Sequence, residues 1–270
     1  MLKEYLTNIA STIRGVLKTE EKINAQDFDS KIVEVYTTGK NEGLASGGQV
    51  EYDRFWDIYQ ENGNRVDYSY GFTGRGWNDN TFKPKYDIIV SNATQASMFC
   101  NSRITSLKKA LSDAGKILDV SKATNLQLMF SSNTSLTEVP KLDCKNSTNL
   151  SSMFSWCQKL HTVDELVVGA PNTTFTTCFN RCDALQNIII SGEINNNISF
   201  EHSTKLTEVS MNSIVSALSS GVTGKTATFS KTAVDREFEE SPGANDGSTN
   251  PQSYWNMIIG YKSNWNISLV

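Results

Sequence analysis

The chain has 270 residues, of which 38% are hydrophobic and 20% charged, and its net charge of −4 offers no basic footprint for duplex nucleic acid or an anionic membrane. Ser, Thr and Asn number 31, 25 and 25; these side chains hydrogen-bond to neighbouring backbone, so their excess argues against a tight α/β enzyme core and for turn-rich, repetitive architecture. Only two histidines, His161 and His202, stand available for acid–base work.

The opening segment MLKEYLTNIASTIRGVLK carries Lys3, Glu4 and Arg14 and has no apolar run of the kind that marks a secretory leader. Leu2, Leu6, Ile9, Ile13 and Val16 step by 4, 3, 4 and 3, one helical stripe at heptad spacing. A second stripe, Phe28, Ile32 and Val35, follows it. Residues 1–43 therefore read as a helical module, either a hairpin packed on itself in a monomer or a short stem that assembles a homotrimer. The glycines at 39, 43, 47 and 48 end it.

Residues 44–86 change character. Ten aromatics fall between Tyr52 and Tyr86, with Asn62-Gly63 and the glycines at 71, 74 and 76 as turns between them. These glycines are not a phosphate loop, because no Gly-Lys-Ser/Thr follows. Two readings stay open for the aromatics: a sugar-stacking platform, or packing of a connector and cap against the next region. The candidates for ligand contact are Trp56, Tyr70 and Trp77 in this stretch, with Trp156 further on.

From residue 87 to 220 the sequence repeats. Phe99, Phe130, Phe154, Phe179 and Phe200 are separated by 31, 24, 25 and 21 residues. Leu136, Leu160, Leu185 and Leu206 each follow their phenylalanine by six, and Val139, Val163, Ile188 and Val209 by nine. In the first unit Ile104 and Leu107 make the same three-residue step one position earlier. Each unit can bury its Phe and Leu only against the same positions of its neighbours, which predicts a solenoid with a continuous ladder core. The Leu-x-x-Val/Ile segment is expected as a short strand and the Met-Phe segment as an irregular back.

Residues 221–270 lose the repeat and are expected to cap it. SIVSALSSGVTGKTATFSKTAV predicts a helix, a glycine turn and a strand. Glu237 to Gln252 is polar and turn-rich, and Trp265 to Val270 reads as a final strand.

No catalytic or metal constellation emerges, and no cofactor is expected. Cys178 and Cys182 form a C-x-x-x-C pair, but His161 has no second histidine at ligand spacing. Cys157 and His161, four apart, have no orienting carboxylate near them in sequence. The acidic clusters Asp164-Glu165 and Glu237-Glu239-Glu240 read as solvated faces. Without a leader, the five cysteines are expected as free thiols, with Cys157 and Cys182 in equivalent rungs. No run of 18 apolar residues is present to span a membrane.

The pattern Met-Phe-x-x-Cys-x-x-Leu-x-x-Val, written here as MFSWCQKLHTV and CFNRCDALQNI, resembles the BspA-like leucine-rich repeats of bacterial surface and phage proteins, without the Asn ladder of the common leucine-rich repeat. IASTIRGVLKTEEKINAQDFDSKIVEV, with Ile13-Arg14, Lys22-Ile23, Asp27-Phe28 and Ile32, resembles a module of tail-associated proteins in phages and prophages of Gram-positive hosts. The aromatic run that follows is similar to the connector joining that module to leucine-rich repeats. The resemblance implies an α+β leucine-rich-repeat protein of the virion, at the tail tip or baseplate and not an enzyme. It would bind other virion proteins through residues 1–43 and a glycan or protein of the bacterial surface through its repeats. An accessory role confined to virion partners is the alternative.

Overall fold

The computed structural model describes residues 71–90, 96–238 and 251–270, all inside the larger of two compact units, Asn62–Val270. The two N-terminal stripes, Trp56, Tyr70 and the polar stretch 239–250 lie outside the described residues.

The phenylalanine anchors form one column. Phe99, Phe130, Phe154, Phe179 and Phe200 are buried, and successive rings stack with centroids 5.4, 5.3, 5.5 and 4.5 Å apart and planes within 22° of parallel. The column also extends beyond the residues that the sequence pattern marks. Phe72 stacks on Phe99 at 4.9 Å and Phe229 on Phe200 at 6.1 Å. Phe72 is thus a rung of the ladder, although the sequence reading leaves it in the connector. Both ends are closed by aromatics meeting the stack edge-on: Trp77 and Phe82 against Phe72 (80° and 88°), and Trp255 against Phe229 (80°). Edge-to-face contact puts the positive rim of one ring on the negative face of the other, which suits a column that must stop.

Backbone hydrogen bonds tie rung to rung. The Phe72 N–H donates to the Met98 carbonyl, Phe99 to Met129, Phe130 to Met153 and Phe154 to Cys178, each at 2.8–2.9 Å. N–H groups two residues on do the same: Gly74 to Cys100, Asn101 to Ser131, Ser132 to Ser155, Trp156 to Asn180. Presenting alternate N–H groups in one direction without an extended strand demands a special backbone. Ser97, Leu128, Ser152 and Thr177, two before their phenylalanines, and Asn101, Ser132, Trp156 and Arg181, two after, all have φ between 51° and 64°. Most of these residues stand third in a four-residue turn closed by an i→i+3 bond, as in Phe154–Cys157 and Phe179–Cys182, the pattern of a type II turn. Gly74, two after Phe72, has φ 102° and completes the series.

Elsewhere in each rung short parallel strands pair. Strand β1 (Ile88–Ile89) pairs β2 (Leu118–Asp119). Strands β3 (Glu138–Val139) and β4 (Leu142–Asp143) both pair β5 (Thr162–Val168), which pairs β6 (Asn187–Gly192). The positions nine after Phe are direct partners here, Val139 with Val163 and Val163 with Ile188. Leu136, Leu160 and Leu185 are buried beside them. The third sheet stacks β7 (Ile198–Phe200), β8 (Lys225–Phe229) and β9 (Trp265–Leu269) in parallel.

Helices replace strands at two places where the sequence reading expects a continued register. The 31-residue first spacing holds α1 (Leu107–Ala114), started by the Ser106 hydroxyl accepting from the Lys109 N–H and ended at Gly115, φ 62°; Leu107 is therefore helical. In the Phe200 unit, Val209 lies on α2 (Glu208–Ala217) and is 67% exposed. The correction has a clear cause. Thr207 caps this helix, and its apolar face, Met211, Ile214 and Val215, excludes Val209. Two further helices, α3 (Lys231–Phe238) and α4 (Pro251–Gly260), precede β9; α4 begins inside the stretch read as polar and turn-rich. Among the described residues no helix is long and apolar enough to cross a membrane.

Candidate binding groove

The small polar residues that dominate the composition serve two distinct roles. In the core they bond to the preceding rung. Three residues after Phe, Asn133, Cys157 and Cys182 each donate to the carbonyl of the previous rung's phenylalanine: Asn133 Nδ2 to Phe99 (2.8 Å), Cys157 Sγ to Phe130 (3.0 Å) and Cys182 Sγ to Phe154 (3.1 Å). A second column, Ser147 Oγ to Ala123 and Thr173 Oγ1 to Ser147, repeats the arrangement at 2.6 and 2.9 Å.

This settles what the cysteines do. All five are free, and four are buried. Burial pushes the Cys178 thiol up to about 12 and raises Cys144, Cys157 and Cys182 as well, since a thiolate there would lose its hydration. Cys157 is a protonated hydrogen-bond donor inside the ladder while His161 faces solvent, so the two do not form a nucleophile pair. Among the described residues no group of three His, Cys, Asp or Glu side chains could hold a metal.

On the surface near Trp156, the hydroxyls of Ser132, Thr134 and Ser135 make no hydrogen bond among the described residues, while that of Ser102 donates to Asn133 Oδ1 at 2.8 Å. Trp156 is 47% exposed and lines an open groove of about 460 Å³ together with Arg75, Arg103, Ser132, Thr134 and Ser135. The groove crosses the rungs of Phe72, Phe99, Phe130 and Phe154, so residues far apart in sequence meet there. The ladder fixes their backbones: the Arg103 N–H donates to the Trp77 carbonyl at 2.6 Å, and Gly74, next to Arg75, donates to Cys100 at 2.9 Å. The indole is held from the next rung, where the Arg181 guanidinium sits 5.3 Å from the ring centroid, a cation–π contact. Among the described residues no carboxylate lines the groove.

The four aromatic candidates therefore separate. Trp156 lies in the groove. Trp77 is 6% exposed and closes the end of the phenylalanine column, so it is corrected from ligand contact to core; its ring lies against Phe72 and Phe82. Trp56 and Tyr70 lie outside the described residues. Sequence reasoning did not single out Arg75, Arg103 or Arg181. Arg181 shares the two-after-Phe position with Trp156, a signal present in the register. Arg75 and Arg103 belong to units whose spacing is irregular and carry no such mark.

Comparison brings no relative to bear: no protein-family model, curated protein or solved structure matches the chain.

Proposed function

We propose that this chain is a non-enzymatic tail or baseplate protein of a phage or prophage virion, built on a BspA-like leucine-rich-repeat solenoid that presents a surface for recognition of the host cell. The resemblance of residues 9–35, and of the aromatic run that follows, to tail-associated modules and connectors supports the virion location and attachment to other virion proteins. The observation that carries the recognition role is Trp156. A bulky aromatic at φ 64°, half exposed, occupies a position where Gly74 and Asn101 stand in other rungs. A non-glycine residue in that conformation carries backbone strain, and the flat apolar ring it presents beside free hydroxyls suits stacking against a sugar. Repeats hold such a surface rigid while its side chains vary.

The alternative, an accessory protein binding only other virion components, draws support from β9. That strand pairs with β8 alone among the described residues, and Leu269 and Val270 beside its open edge are 38% and 59% exposed. Fluorescently labelled full-length protein incubated with intact Gram-positive bacteria distinguishes the two. Saturable binding at micromolar protein supports recognition. Absence of binding across a panel of strains, with pull-down of virion proteins intact, gives the accessory role.

A further inference from the structure

We infer that the Trp156 groove takes an acidic saccharide, one carrying carboxylate or phosphate groups; this rests on the recognition reading above and names the ligand class. Four arginines fall among the described residues. Arg236 is fully engaged, by Glu237 and by the carbonyls of Thr204 and Leu206. The other three, Arg75, Arg103 and Arg181, make no ion pair or side-chain hydrogen bond among the described residues, and all three stand at or beside the groove. This clustering occurs in a chain of net charge −4, where carboxylates are plentiful. Asp79, close to Arg103 through the Asn78–Arg103 backbone bridge, accepts instead from the Thr105 N–H and hydroxyl at 2.8 and 2.6 Å.

A guanidinium stays charged at every physiological pH and offers five donors in a planar fork that matches carboxylate and phosphate oxygens. Arg75 and Arg103 carry two such forks on adjacent rungs, Phe72 and Phe99, whose rings are 4.9 Å apart. In the same concavity are the Trp156 indole, contacted by Arg181, and the hydroxyls of Ser132, Thr134 and Ser135, which make no hydrogen bond among the described residues. Forks for the acid, a flat face for the ring and hydroxyls for the sugar's own hydroxyls converge on one ligand chemistry. A neutral glycan would leave the forks unused. A free anion would leave the indole unused.

The test is calorimetric titration of the full chain with four probes: a galacturonic acid hexamer against maltohexaose, and phosphomannan against unphosphorylated mannan. At least one acidic probe is expected to bind ten-fold or more tightly than its neutral counterpart, and the winning pair tells carboxylate from phosphate. Arg103→Ala and Arg75→Ala should each lower that affinity about ten-fold, with Arg103→Lys losing less, and unchanged circular dichroism would show each variant folded. Raising salt from 0.05 to 0.5 M should weaken acidic binding and leave any neutral binding alone. Equal binding of acidic and neutral probes overturns the inference, as does acidic binding indifferent to both arginine substitutions. Failure of both acidic probes at millimolar concentration also overturns it. In each of those cases binding of the protein to intact cells would leave the recognition reading standing. Absence of cell binding as well would remove both.

Discussion

Phe154 illustrates how much a single position carries. Its ring lies between Phe130 and Phe179 with centroids 5.3 and 5.5 Å away, and none of it is exposed. Truncation to alanine would empty a site walled on both sides by rings that cannot close in without breaking their own stacking. Phe154→Ala is expected to cost about 3–5 kcal/mol, read from urea denaturation of the full chain. At this scale the sequence was informative wherever the residue type matches its burial. Phenylalanine at a fixed interval has few uses besides a core column. It was uninformative for the left-handed positions, since Leu128, Trp156, Thr177 and Arg181 are residues that rarely adopt φ above zero. Their conformation is imposed by hydrogen bonds to the neighbouring rungs, which no local preference announces. The two sequence readings of Trp77, ligand contact or packing, stay open for a related reason: an aromatic near glycines has the same signature whether it faces water or closes a stack, and here it closes one.

Among the elements, α2 shows how the ladder changes from strand to helix without leaving an edge open. β6 has no strand on its far side among the described residues. Instead the Ser210 hydroxyl accepts from the Ile188 N–H at 3.0 Å and donates to the Gln186 carbonyl at 2.9 Å. One helical turn on, the Ser213 hydroxyl accepts from the Ile190 N–H at 2.8 Å and donates to the Ile190 carbonyl at 3.1 Å. Two serines three apart on a helix thus stand in for a missing strand, since a buried backbone group without a partner is costly. The double substitution Ser210→Ala with Ser213→Ala leaves two amides unsatisfied and should cost about 2–6 kcal/mol, at roughly 1–3 for each. Hydrogen exchange should show the loss locally, with the Ile188 and Ile190 amides exchanging faster than the other amides of β6. The Phe–Leu–Val register of this unit is intact in the sequence, and it pointed to a strand. What decided against one was the Thr207 cap and the 3.6-residue apolar period after it, a competing signal within the same ten residues.

Over the whole molecule, the buried thiols couple stability to alkaline pH. Each of Cys144, Cys157, Cys178 and Cys182 has its folded pKa raised by burial, against about 8.5 for an unfolded cysteine. Their contribution is fully present below that value and is lost as pH rises towards the folded pKa, because the unfolded chain alone releases these protons. Stability should therefore fall above about pH 8.5 by up to about 1.4 kcal/mol per pH unit for each buried thiol. Cys178→Ala should make that decline shallower. Stability that is flat from pH 8 to 10 would mean the thiols are accessible.

The ladder and the groove are two faces of one arrangement: each rung packs its buried side chains on its neighbours, and the position two after the phenylalanine stays outside the core. Trp156 is where that position carries a large ring, so the most direct measurement is the cell-binding isotherm of full-length Trp156→Ala beside its thermal midpoint. The account predicts that binding to intact bacteria falls at least ten-fold while the midpoint stays within a few degrees of the parent, since the removed side chain lies outside the column. Binding that survives the substitution unchanged, with the protein folded, would contradict it.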